Sequence, residues 1–409
     1  MIPRMPTRRL VLPAILLVAL TACRGGTDEA APQPTATTTT AAPTATPTPG
    51  ATPTTKPTAK PTVPPTAKPT AKPSPTKAPL PQATGPAPKH FLPVDFSFIG
   101  ASFGWALGCG SPTCPAVVAR TTDAGRTWHE TAAPPVKVND DSGDSVRAIR
   151  FGTQDHGWLY GPQLWATHNG GKSWKQLPTD GDVIALEQAK GVTWLVVSSC
   201  EAGGCRLSLW TAPSASDAFV LRSVIPGTDA NEKTYQLVRA GSTHGWLVGI
   251  GNGGKQILRT TDGGKTWKEI ANPCTSQDTY TMRLTRYDTQ TLWLACGSDA
   301  GAGQQAKTVW HSSDAGSHWG SSTKPPSTGL LLDIQAFGSR TALLAVSHGP
   351  LLRTTDGGIT WQGVASGPDD AGWNKVETIN FRNVWALSGH AIYRSADAGR
   401  TWGKYTFTP

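Results

Sequence analysis

The octapeptide TTDGGKTW at 260–267 is written six times, with small changes, along the 409-residue chain. The other copies are TTDAGRTW (121–128), THNGGKSW (167–174), SSDAGSHW (312–319), TTDGGITW (354–361) and SADAGRTW (395–402). Their third letters, Asp123, Asn169, Asp262, Asp314, Asp356 and Asp397, are spaced 46, 93, 52, 42 and 41 residues apart. The gap of 93 is two periods, so a decayed copy is expected near residue 215. There CRLSLWTAPSASDAF (205–219) keeps a strand and Thr211 but has lost the Asp-Gly-Gly core. A period of this size excludes a single helical or sandwich core and points to stacked supersecondary units.

One unit is visible at 145–178. SVRAIRF alternates as a strand, GTQDH turns, GWLYG and QLWATH are second and third strands, NGGK turns, and SWKQLP is a fourth. Four short antiparallel strands make a propeller blade. The expected fold is all-β, a seven-bladed propeller of four-stranded blades over 91–409. The 16 tryptophans follow the same period. Six close the octapeptides, and six (Trp105, Trp158, Trp194, Trp246, Trp293, Trp385) sit in second strands. Trp165, Trp210 and Trp310 sit in third strands, and Trp373 alone is out of register. An aromatic stripe at repeat spacing is expected to be core between blades.

The octapeptides match the Asp-box, or BNR repeat, S/T-x-D-x-G-x-T/S-W. The resemblance implies a corner between third and fourth strands. In it the aspartate accepts hydrogen bonds from turn N–H groups, the glycine takes positive φ, and the tryptophan packs beneath. Asn169 can do the same, which argues against a role that needs negative charge. Six boxes on six blades face outward around a rim and cannot converge on one substrate, so they are read as structural.

The N-terminus addresses location. MIPRMPTRR carries three arginines, and the apolar run 10–20 is too short to span a bilayer but suits a signal peptide. It ends in Leu20-Thr21-Ala22-Cys23, which resembles a bacterial lipobox. The resemblance implies cleavage after residue 22 and a diacylglycerol thioether on Cys23, with the mature protein outside the cytoplasm. Residues 23–90 are nearly all Pro, Thr, Ala and Lys and lack apolar side chains to bury, so a disordered stalk is expected. Ten of the 37 Lys+Arg lie in 1–90, against two acids. The rest carries 27 basic and 26 acidic residues, so the basic balance belongs to the leader and stalk and gives no support to nucleic-acid binding.

Six cysteines remain, an even number for an oxidising compartment. Cys109/Cys114 and Cys200/Cys205 share one spacing at the same repeat position, as hairpin staples would. Cys274 and Cys296 are left for each other. C-x₄-C is also a weak zinc spacing, but no histidine follows at a fitting distance. His348 and His390 share one turn position in neighbouring blades 6 and 7, which makes them candidate binding residues; a shared metal-ligand role is set against the expectation of solvated polar residues, which is preferred. No metal and no cofactor is expected.

The segment HGWLVGIGNGGKQILRTTDGGKTWKEI (244–270) is similar to the photosystem II assembly and stability factors of cyanobacteria and chloroplasts, as are FGWALG (103–108) and 383–402. That resemblance implies a non-enzymatic chaperone that docks a membrane-protein partner through an arginine-rich patch; no arginine cluster stands out in the sequence. Sialidases resemble the chain in the boxes only. Their Arg-Ile-Pro motif is absent, the nearest stretch being VIPG at 224–227, and no carboxylate pair stands out for glycoside hydrolysis. The expectation is a monomeric, lipid-anchored protein-binding scaffold, with glycan binding or a sialidase-like hydrolase as the alternative. The working surface is expected on the face opposite the boxes, at the variable loops 139–144, 228–233, 297–307 and 367–375. There Trp373 beside Asp369 and Asp370 is either a surface anchor or a ring plugging the seam between blades 6 and 7.

Overall fold

The computed structural model describes residues 86–407 apart from 112, 141–142, 202–203, 228–232, 252–253 and 369–371. Cys23, the signal peptide and nearly all of the stalk lie outside the described residues, as do Asp369 and Asp370.

Seven antiparallel sheets follow one another in chain order, each built from contiguous sequence. Blade 1 is Leu92–Ile99, Phe103–Cys109, Ala116–Thr121 and His129–Thr131, and blade 2 is Ala148–Phe151, Gly157–Tyr160, Leu164–Thr167 and Lys175–Leu177. Blade 3 is Asp182–Ala189, Val192–Glu201, Gly204–Pro213 and Val220–Val224. Blade 4 is Lys233–Ala240, His244–Gly251, Gly254–Thr260 and Lys268–Glu269. Blade 5 is Thr281–Arg286, Leu292–Gly301 and Gln304–Ser312. Its fourth position is reduced to one bridge, Val309 with Thr323, because the chain after Trp319 runs into Pro325 and Pro326, which cannot continue a ladder. Blade 6 is Leu331–Ala336, Ala342–Val346, Leu351–Thr354 and Gln362–Ala365, and blade 7 is Lys375–Thr378, Val384–Ser388, Ala391–Ser395 and Gly403–Thr406.

The described residues form seven hydrophobic clusters, one at each seam between blades. Six second-strand tryptophans are at most 1% exposed, and Leu343 takes the equivalent place in blade 6. Trp105 stacks on Phe151 of the next blade at 3.6 Å, Trp385 stacks on Phe98 at 4.1 Å, and Trp194 lies under the Arg239 guanidinium at 4.0 Å. The glycine of each Gly-Trp pair makes room for this. A Cβ on Gly157 would stand 2.5 Å from the Phe151 ring.

First strands surround the axis but pair only with second strands of their own blades, so their inner edges lack backbone partners. Side chains of the neighbouring blade supply them. Ile149 N donates to Asp95 Oδ2 (2.8 Å), Phe151 N to Ser97 Oγ (3.1 Å), Leu284 N to Gln236 Oε1 (2.9 Å), Ala336 N to Thr285 Oγ1 (3.2 Å) and Val376 N to Asp333 Oδ2 (2.9 Å). Phe98 N to Glu377 Oε1 (3.2 Å) closes the ring between blades 7 and 1.

Candidate functional site

The six boxes have the geometry that their motif implies. In the box of blade 4, Asp262 Oδ1 accepts from Lys265 N (2.9 Å) and Thr266 N (3.0 Å), and Oδ2 from Thr266 Oγ1 (2.6 Å). Thr260 Oγ1 accepts from Gly264 N at 3.0 Å. In blade 2, Asn169 Oδ1 accepts from Ser173 N at 3.0 Å while its amide donates to Ser173 Oγ at 2.8 Å, so the neutral residue fills the same corner. Both the fourth and fifth letters take positive φ, including Ala124, Ala315 and Ala398. In the box of blade 4 the fifth letter also lacks room for a side chain, since a Cβ on Gly264 would meet Leu209 Cδ2 at 2.1 Å. The boxes' hydrogen bonds are therefore spent within the turn.

The sulfur pairs are also formed: Cys109–Cys114, Cys200–Cys205 and Cys274–Cys296.

The face opposite the boxes differs from its expectation. Trp373 is 0% exposed, edge-on to Tyr393 at 4.7 Å and 6.4 Å from Trp402, so it plugs the seam of blades 6 and 7 and has no surface to offer a partner. Its backbone N–H donates to Val346 O at 2.8 Å, which lays the end of the connection onto blade 6. The stretch 297–307 is largely a continued hairpin, with Ala300 opposite Gln305 and Gly301 opposite Gln304. His348 is exposed beside a cavity of about 370 Å³ with Gln304 and Thr328, whereas His390 is half-buried and its Nδ1 lies 3.1 Å from Phe91 O. The structure does not bring the two histidines to a common ligand.

The larger cavity, about 580 Å³, follows the axis and is lined by first strands and the turns after them. Those turns share a face with the boxes, because the fourth box residue donates its N–H to them: Ala124 N to Ser102 O, Gly263 N to Thr243 O, Gly357 N to Arg340 O. At this mouth Tyr287 (45% exposed) and Phe381 (61% exposed) stand in solvent. Beneath them lie Arg150, Arg239 and Arg286, which the ring gathers from three blades. Arg239 is 3% exposed. Its Nη1 donates to Val192 O at 2.6 Å, but Nε and Nη2 have no hydrogen-bond partner among the described residues. Burial, with Arg286 beside it and only Glu187 opposing, lowers its pKa to about 9. The two unpaired nitrogens are themselves buried and the guanidinium lies on Trp194, so what Arg239 gives the cavity is positive charge. No run in the sequence marks these arginines; Arg286 ends the first strand of blade 5 and Arg239 is the penultimate residue of the first strand of blade 4.

The carboxylates around the axis are engaged. Glu187 is 3.3 Å from Arg150 Nη2, Asp95 is 2.5 Å and Glu377 3.2 Å from Lys375 Nζ, and Asp333 accepts from Val376 N and Ile334 N. Burial raises the pKa of Asp333 despite those bonds.

Against known proteins, residues 228–374 match the family described as photosynthesis system II assembly factor YCF48. The propeller is Ycf48-like. A photosystem II assembly lipoprotein Ycf48 from Synechococcus sp. (strain CC9902) is 31% identical over 133 residues. That match covers 32% of this chain and about a third (35%) of the relative's own length. Among solved structures, YCF48 bound to D1 peptide superposes with a TM-score of 0.53 at 20% identity, covering 82% of this chain and 99% of that one. YCF48 from Cyanidioschyzon merolae gives 0.55 at 16% identity, with 77% and 98% covered. A Mycobacterium tuberculosis puromycin-hydrolyzing peptidase gives 0.54 at 12% identity, covering 81% of this chain and 57% of the peptidase. At these identities the structures speak for the propeller fold alone.

Proposed function

We propose that this Ycf48-like propeller is a non-enzymatic docking platform, anchored by lipid on Cys23 outside the cytoplasm, that holds an extended segment of a membrane protein during its assembly. The observation that carries the reading is the axial cavity, whose lining gathers Arg150, Arg239 and Arg286 from three blades together with the exposed rings of Tyr287 and Phe381. Arginine and aromatic side chains at a concave centre have the composition of interface hot spots. An acidic side chain or a chain-terminal carboxylate suits this cationic lining, and the rings offer apolar surface to the peptide beside it. The relatives whose names speak of photosystem II assembly and of a bound D1 peptide support a protein ligand. Against hydrolysis stands the use of Asp95, Asp333 and Glu377 to cap neighbouring strand edges, a duty that a catalytic acid or base would have to abandon.

The test compares wild-type protein with Phe381→Ser, Tyr287→Ser and Arg286→Ala in capture of membrane proteins from envelope extracts, with His348→Ala as the opposite-face control. The expected result is loss of the same captured membrane protein in the first three and retention in the control, with no turnover of aryl glycosides by any. Capture that survives at the axial mouth and fails in His348→Ala moves the site to the other face. Hydrolysis abolished by one carboxylate substitution replaces the reading with an enzymatic one.

A further inference from the structure

The two departures from the repeat, the neutral box of blade 2 and the missing box of blade 3, meet at one seam, and three metal-binding side chains meet there with them. His156 ends the turn between the first and second strands of blade 2, and His168 is the second letter of that blade's box. Gly170 N donates to Asp155 O at 2.9 Å, which pins box to turn and sets the imidazoles side by side at 4.0 Å between centroids. Asp217 reaches across from the segment of blade 3 where a box would stand. Its Oδ1 is 3.1 Å from His156 Nε2 and its Oδ2 is 2.5 Å from His168 Nε2. The three ligand atoms lie within 4.8 Å of one another.

We propose that His156, His168 and Asp217 form a divalent transition-metal site of zinc type, which clasps blade 2 to blade 3 on the box face. The donor set of two imidazoles and a carboxylate suits Zn²⁺, and ligands at about 2.0–2.2 Å on a tetrahedral ion stand about 3.3–3.6 Å apart, so the short contact of Asp217 with His168 must open while that with His156 needs little change. His156 is buried and fixed, with its backbone N–H donating to Thr153 Oγ1 at 3.0 Å. The His168 side chain is 61% exposed, so its ring has room to adjust and the fourth position opens to water. On binding, the metal replaces the hydrogen bonds between Asp217 and the two Nε2 atoms. Each imidazole then coordinates through Nε2 with its proton on Nδ1.

The seam is where a clasp has something to do. At three other seams the second-strand tryptophan donates to the next blade's box, Trp105 to Gly170 O (3.0 Å), Trp246 to Ala315 O (3.1 Å) and Trp385 to Ala124 O (3.4 Å), whereas Trp293 Nε1 has no acceptor among the described residues. Blade 3 has no box to offer, and Trp158 Nε1 has no acceptor among the described residues.

The test titrates the purified full-length protein, stripped of metal and free of any histidine tag, with Zn²⁺ and separately with Co²⁺. The expected result is one equivalent bound, a visible absorption band for Co²⁺, and a higher melting temperature with Zn²⁺. His168→Ala and Asp217→Asn should each weaken binding about tenfold or more and abolish the Co²⁺ band. His168→Ala removes an exposed ring, so it should keep the metal-free melting temperature and report on binding without loss of fold. His348→Ala should bind as wild type. Absence of binding, or binding unchanged in both variants, overturns the proposal. So does a seam whose stability responds to the variants but not to metal, since the cluster would then be a hydrogen-bonded clasp only.

Discussion

At the scale of the residue, the boxes show how one carboxylate can hold a turn together. The Thr266 hydroxyl bond to Asp262, aided by the Thr266 and Lys265 amides, holds its pKa far below the ordinary carboxylate range against the small cost of burial. Asp356 is lowered to about 2 by the Thr360 hydroxyl first, and Asp314 to about 2 by the His318 amide first. A carboxylate with a depressed folded pKa contributes stability above its unfolded pKa and loses it as pH falls through the folded value. The melting temperature is therefore expected to fall as pH drops from about 4 toward 2, with part of that slope missing in Asp262→Asn. Because Asn169 already serves blade 2, Asp262→Asn should cost less at neutral pH than Asp262→Ala. The alanine strands two turn amides and a hydroxyl, at about 1 kcal/mol for an exposed turn. Urea unfolding of both variants across this pH range checks the order and the slope. Equal losses for Asn and Ala would mean that charge, not hydrogen-bond acceptance, holds the corner.

At the scale of the element, Gly372 and Trp373, at the end of the connection from blade 6 to blade 7, behave as core rather than as a loop. Gly372 packs so closely that a Cβ there would lie 1.9 Å from Ser347 O, and this approach drives the Trp373 ring into the cluster with Val376, Ala386 and Tyr393. Trp373→Ala is expected to destabilise the domain by about 3–5 kcal/mol through lost burial and a residual cavity. Denaturant midpoints measure that loss, and capture by the folded fraction should be unchanged. A stable Trp373→Ala protein that no longer captured its partner would return the ring to the working surface. A second element departs from its sequence reading in the same direction. The glycine-rich stretch after Cys296 continues as hairpin, with Lys307 buried against Gly329 O (2.7 Å) and Thr328 O (3.0 Å).

At the scale of the whole molecule, the ring closes without strand exchange. The last strand of blade 7, Gly403–Thr406, pairs within its own blade. The joint to blade 1 is made by side chains: Phe98 on Trp385, Phe91 edge-on to Phe407 at 4.7 Å, and Lys375 Nζ on Asp95 and on Phe96 O at 2.6 Å. Closure by packing leaves both faces of the ring free of a threaded terminus among the described residues, and Phe91 seats the propeller end of the stalk beside the seam. The proposed anchor belongs to this scale, because it would hold the whole propeller at a membrane. Cys23→Ser is expected to leave the precursor uncut or to release protein from the membrane fraction, as fractionation and mass spectrometry of the N-terminus would show. A mature N-terminus other than residue 23 would remove the lipid from the account.

The period of the octapeptide and its tryptophans was enough for the blade, the count of seven, the buried stripe and the two hairpin cysteine pairs, Cys109–Cys114 and Cys200–Cys205. Each of these is a local pattern repeated at one spacing, and the same physics acts on every copy. The axial site was not legible, because Arg150, Arg239 and Arg286 sit in different repeats at ordinary strand positions, and only ring closure points them at one another. His156, His168 and Asp217 escaped for the same reason, meeting across a seam from two blades. Trp373 shows the converse. Its place outside the repeat was plain in the sequence, but whether an out-of-register ring faces solvent or core depends on which backbone its loop is laid against. Proximity between repeats and the burial of irregular segments are properties of the closed ring, so the tertiary structure alone decided them.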